Sequence, residues 1–176
     1  PTGFPRLLVH TFARPHDPDE RAAAQRQVVD TMVNIIIDTN MLTDCDDAGA
    51  LAVAHALADN GEMEILGVVL NGEDANGRHG TVVSAINHYF GRPGIPIGAA
   101  AREGMRYAAS PFSESVCDNY PNDRVLDSER PDAVGVYRQL LAEAEDGSVT
   151  IVSIGHLYNL EDLLKSGGDA HDERCG

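Results

Sequence analysis

The chain has 176 residues, with 13 lysines and arginines against 28 aspartates and glutamates, for a formal charge of −15 at neutral pH. One domain is the default at this length, and 43% hydrophobic residues suffice for a core, which excludes a disordered acidic tail. So negative a field repels phosphate backbones and anionic lipid, and no apolar run reaches the roughly 20 residues of a membrane helix; nucleic acid and membrane are therefore not expected as partners.

Residues 1–32 hold Pro1, Pro5, Pro15 and Pro18 and a polar run, Asp19 to Gln27. They read as an extension with at most a short helix over Asp19 to Asp30, ahead of a domain spanning 33–176. Asn34 to Asp38 is short, apolar and β-branched, the pattern of a strand buried on both faces. Asp46-Asp47 then precede a helix-forming stretch, Ala48 to Asp59, stopped by Asn60-Gly61. A second strand is expected over Ile65 to Leu70, a helix over Thr81 to Phe90 closed by Gly91, and a short strand at Ile95 to Ile97. Residues 98–131 show no period and read as a long irregular loop. A helix over Asp132 to Glu145, a strand over Val149 to Ile154 and a helix over Asn159 to Lys165 complete the described pattern.

Strands alternating with helices predict an α/β fold, a mostly parallel sheet with helices on both faces. Ligands of such sheets bind beyond the carboxyl ends of the strands. That rule places Asp38 to Asp47, Asn71 to Asn76 and Ile154 to Asn159 on one rim. Cys45, Cys117 and Cys175 are odd in number and lack CxxC spacing, as expected of free thiols in a reducing, cytoplasmic setting.

The segment Asp38-Thr-Asn-Met-Leu-Thr-Asp-Cys-Asp-Asp47 carries four carboxylates and one carboxamide directly after the first strand. Like charges so close raise one another's pKa values and cost stability unless a cation or a helix N-terminus compensates them. Oxygen donors alone select a hard cation, Ca²⁺ ahead of Mg²⁺. The plainer alternative is a solvated loop whose Asp46 caps a helix. An EF-hand is excluded, because the twelfth position from Asp44 is His55.

The loop resembles the calcium-binding signature of the inosine-uridine-preferring nucleoside hydrolase family, D-T-D-x-G-x-D-x-D-D-A. Asp38, Thr39, Asp44, Asp46, Asp47 and Ala48 match it, while Asn40 and Leu42 depart from it. Ile65 to Gly72, Gly91 to Ile97 and Thr150 to Leu160 resemble three further family segments in the same order, with His156 and Tyr158 in place of Pro and Thr. The resemblance implies a nucleoside hydrolase-like fold, seen here as its N-terminal portion, that acts on a nucleoside or other ribose-containing small molecule. It implies a Ca²⁺ held against the ribose hydroxyls and a water, with cleavage of the N-glycosidic bond through an oxocarbenium-like transition state. Carried over by residue, Asp38, Asn40, Asp47 and the Ile154 carbonyl fall at metal positions, Asp46 at a ribose contact, and Asn71 or Asn76 at the substrate-contacting asparagine. Asn40 stands where the family has its aspartate base, and a carboxamide cannot accept a proton at neutral pH. Leu42 replaces a glycine suited to positive φ. Weak or absent hydrolysis is the expectation.

Two other readings stay open. One is a nucleoside- or sugar-binding pseudoenzyme; the other is a PIN-type Mg²⁺-dependent ribonuclease, suggested by Ile35 to Asn40 alone and opposed by the charge. A sheet cut short would also expose an edge, so self-association into a homo-oligomer is expected. His79, His88 and His156 lie near the expected rim, and His55 is expected against the sheet. Phe90, Tyr107, Phe112 and Tyr120 are placed to pack the long loop or stack on a base.

Overall fold

The three consecutive isoleucines of the first strand set the architecture. In a computed structural model, which describes residues 32–41, 44–100, 106–107 and 110–168, strand β1 runs Val33–Thr39 and is buried from Ile35 onward. Side chains alternate across a strand. Ile35 and Ile37 therefore join one apolar cluster and Ile36 the other. The N-terminal extension, Leu42 and Cys175 lie outside the described residues.

β1 pairs in parallel with β2 (Met63–Leu70) on one side and β6 (Val149–Ser153) on the other. β4 (Ile97–Ala99) pairs in parallel with β2, giving the order β4-β2-β1-β6. The register slips between Ile35 and Ile36, which face Ile65 and Gly67, so Leu66 is the extra residue of a bulge. A Cβ on Gly67 would lie 2.5 Å from Leu140 Cδ1, so glycine lets a helix press onto the strand there.

Helices α1 (Asp46–Asp59) and α2 (His79–Tyr89) cover one face, with Leu51, Ala54, Val82 and Val83 packed on Ile35, Ile37, Val68 and Leu70. Helices α4 (Ala133–Glu143) and α5 (Tyr158–Lys165) cover the other, with Val136, Tyr137 and Leu163 on Ile36 and Val69. Each such Leu, Ile or Val side chain, fully buried, contributes about 1.5–3 kcal/mol. The fold is thus the expected α/β parallel sheet with helices on both faces. Among the described residues no helix is long and apolar enough to cross a membrane.

Two expectations need correction. β4 starts two residues later than the sequence suggests: Pro96 has no N–H for the ladder, although its carbonyl accepts from Val68 N at 2.9 Å. The stretch 98–131 is not wholly irregular. It contains β5 (Arg106–Tyr107), paired in parallel with β3 (Glu73–Asp74), then α3 (Ser113–Asn119) and a 3₁₀ turn at Asp127–Glu129. Long-range bonds hold it in place, Asp127 accepting from the backbone of His79 (3.1 Å) and Gly80 (2.8 Å), while within the stretch Arg130 donates twice to Asp123 (3.1 and 3.0 Å). The plainer alternative for the loop, Asp46 as the cap of α1, is not what is found: the N-cap is Cys45, without a side-chain cap bond. His55, expected against the sheet, is fully buried and bonds Asn87 at 2.9 Å while stacking on Phe90 at 4.6 Å.

Candidate functional site

Asp38, near the carboxyl end of β1, is fully buried. Its Oδ1 accepts from Asn71 Nδ2 at 2.5 Å and its Oδ2 from the Tyr137 hydroxyl at 2.8 Å. Burial pushes its carboxyl above the ordinary 3.8, opposed by Asn71, Tyr137 and the neighbouring Asn159. The buried Asn159 Nδ2 stands beside this group without closing a hydrogen bond of its own. Burial, then the charge of Asp38, drives the Tyr137 phenol far above its usual range, so it remains protonated and serves as a donor.

The same cluster ties three strand ends together. Asn71 N donates to Thr39 O at 2.9 Å and Ile154 N to Asp38 O at 2.8 Å. Asn71 Oδ1 accepts from His156 N at 3.2 Å. Gly155 is required by this closeness, because a Cβ would lie 2.9 Å from both Asn40 N and Asn71 Oδ1. The three segments placed on one rim by the sequence thus meet there.

The acidic loop leaves β1 through Thr39, whose hydroxyl donates to Asp47 Oδ1 at 2.7 Å and accepts from Met41 N at 3.2 Å. Met41 adopts φ +45 with a buried side chain. Positive φ is thus present at Met41, while Leu42, for which the sequence suggested it, lies outside the described residues. Asp47 is buried, Asp44 and Asp46 are exposed, and one oxygen of each lies within 4.8 Å of the others. Asp46 and Asp47 occupy the first turn of α1, where the helix N-terminus favours negative charge. This set of oxygens, one of them fixed by Thr39, fits a hard divalent cation.

Of the residues singled out from sequence, Asp46 and Asp47 lie in this triad, whereas both oxygens of Asp38 face Asn71 and Tyr137. Asn40 is half-buried between Thr39 and Met41, Ile154 is 38% exposed, and Asn76 is exposed beyond β3. His79 is buried at the start of α2, while His88 bonds Ser84 O at 2.8 Å in its last turn, at the opposite end of the helix. Phe90 and Phe112 pack inward and Tyr120 is exposed. The Tyr107 side chain lies outside the described residues.

Sequence reasoning missed Tyr137. Its burial was signalled by apolar neighbours at helical spacing, but its partner lies 99 residues away.

No family model matches the chain, and no curated protein matches it. Among solved structures it is similar to the effector protein XOO4466, with a TM-score of 0.56 and 13% identity over 84% of this chain and 44% of that one. It is also similar to the type III effector protein XopQ, solved in complex with adenosine diphosphate ribose, with a TM-score of 0.57 and 15% identity over 84% of this chain and 43% of that one. The chain spans less than half the length of either. The shared feature is the fold, an α/β arrangement with a parallel sheet between helices.

Proposed function

We propose that this chain binds a ribose-containing small molecule, of the nucleoside class, at the rim formed by the acidic loop, Asn71 and the Ile154 to His156 turn. The observation that carries the reading is the convergence of three carboxylates and a buried Asp38–Asn71–Tyr137 cluster at the carboxyl ends of a parallel sheet. Support comes from XopQ, similar in fold and solved with adenosine diphosphate ribose.

Asp44, Asp46 and Asp47 would hold a calcium ion, with Asn40 and the Ile154 carbonyl as further oxygen donors. When bound, the cation supplies polarisation of ribose hydroxyls and water. Thr39 orients Asp47, and Asp38 orients Asn71, whose carbonyl is already taken by His156 N. Asn40 can donate or accept a hydrogen bond but cannot take up a proton, so N-glycosidic hydrolysis is weak or absent and binding without turnover is the second reading.

Calorimetric titration of the chain with calcium, followed by inosine or adenosine diphosphate ribose, tests this. Saturable calcium uptake that the ligand tightens, and that Asp47→Ala abolishes, is the expected result; no uptake by folded protein refutes the proposal. Asn40→Asp should tighten calcium binding and raise inosine cleavage. If neither changes, Asn40 does not hold the role given to it.

A further inference from the structure

The buried polar cluster at the strand ends contains one group that packing does not call for. The Tyr137 ring, fully buried, sits with Ile36, Val69, Ala133, Val136 and Leu163, where a phenylalanine would fill the same space. Its hydroxyl needs another reason, since burying it costs free energy unless a hydrogen bond offsets the lost water. That bond goes to Asp38 Oδ2 at 2.8 Å, across 99 residues of sequence.

From there the contacts run on without a break. Asp38 Oδ1 accepts from Asn71 Nδ2 at 2.5 Å, and Asn71 Oδ1 accepts from His156 N at 3.2 Å. Gly155, one residue earlier, lies so close to Asn40 N that a Cβ there would stand 2.9 Å away. The path thus joins α4 to the ends of β1, β2 and β6 and returns to Asn40, where the acidic loop begins. Asp38, Asn71 and Tyr137 are at most 1% exposed, so the described residues close around all three.

We propose that Tyr137 is a positioning residue of the rim, its hydroxyl acting through Asp38 to hold Asn71 as a strut that sets the Gly155–His156 turn. The last torsion of an aspartate side chain is broad, so a carboxylate held by Asn71 alone could swing; a donor on each oxygen fixes its plane. Asn71 then contributes orientation rather than a ligand contact, because both ends of its amide are engaged inside the protein. The clasp is a property of the unliganded chain, and only its effect on affinity rests on the binding reading above.

Tyr137→Phe removes the hydroxyl and keeps the ring. Amide exchange followed by NMR in the unliganded variant reads the result, with circular dichroism to verify the fold. Exchange at Asn71 Nδ2 and His156 N should quicken by about tenfold or more, while buried α2 amides such as Val83 stay as they were. At saturating calcium, inosine affinity should fall by a similar factor, and Tyr137→Phe combined with Asn71→Ala should cost less than the two separate losses together, because both break one path. Unchanged exchange at Asn71 and His156 overturns the proposal, as does exchange quickened alike throughout the chain, which would make Tyr137 a stabiliser of the fold alone. Inosine affinity indifferent to Tyr137→Phe, in a parent chain that binds inosine, overturns the role at the rim. A parent chain that binds neither calcium nor inosine refutes the binding reading instead, and the exchange rates then decide the clasp by themselves.

Discussion

Among the described residues the sheet has two edges, and they are finished differently. At β4 all three residues are buried, Ala99 N donates to Pro131 O at 2.9 Å, and Ala99 bridges to Asp132 at the start of α4. Gly98 admits α4 so closely that a Cβ there would sit 3.0 Å from Val136 Cγ2 and 3.1 Å from Ala133 Cα. At β6 the alternation of half-buried and exposed residues leaves both backbone and Val152 accessible. The contrast teaches that burial of a parallel strand depends on the neighbour it is given as much as on its own residues: the apolar β6, VTIVS, is more exposed than the shorter β4, IGA. The candidate site lies between these edges, where β1 and β2 are paired on both sides.

The largest expected effect is at the closed edge. Gly98→Leu drives a side chain into Val136 and Ala133 and should lower unfolding free energy by about 1–3 kcal/mol, measured by urea denaturation. A loss near zero would mean that α4 is not seated on β4 in solution.

A second effect distinguishes the layers by pH. His55 is buried between α1 and α2, and burial holds its pKa below the ordinary 6.5, with Asn87 opposing. Its neutral form is the one the fold favours, so its contribution is present above about 6.5 and is lost as pH falls through that value toward the lower native pKa. Thermal midpoints measured from about pH 7.5 to 5 should therefore fall less in His55→Leu than in the parent chain. Equal falls would sink the assignment.

The smallest effect belongs to the open edge. Val152→Thr should change monomer stability by no more than about 0.5 kcal/mol, because the side chain is already wet. A loss matching that of Gly98→Leu would show the two edges to be equally covered.

Much of the layout is legible in the residues. Consecutive isoleucines, the apolar run from Ile65 to Leu70, and glycines after helices announce strands and stops through steric rules that act locally. The rim was legible too, since Asp38, Asn71 and Ile154 each stand at or just past the carboxyl end of a predicted strand. The stretch 98–131 was not: Asp127 satisfies backbone donors 47 and 48 residues away, and no local pattern encodes such a pairing. Tyr137 likewise reads as one more core aromatic until the fold brings its hydroxyl to Asp38.

By itself, then, the sequence determined the kind of sheet and the acidic loop with its oxygen-only donors, because periodicity, charge and donor type are properties of neighbouring residues. Only the tertiary structure decided that Asp38 faces Tyr137 and Asn71 while Asp44, Asp46 and Asp47 converge, that Met41 takes a positive φ, and that among the described residues β4 is covered by α4 while β6 has one paired side. Those outcomes depend on which distant groups compete for each donor, acceptor and apolar surface, and that competition is settled only when the whole chain packs.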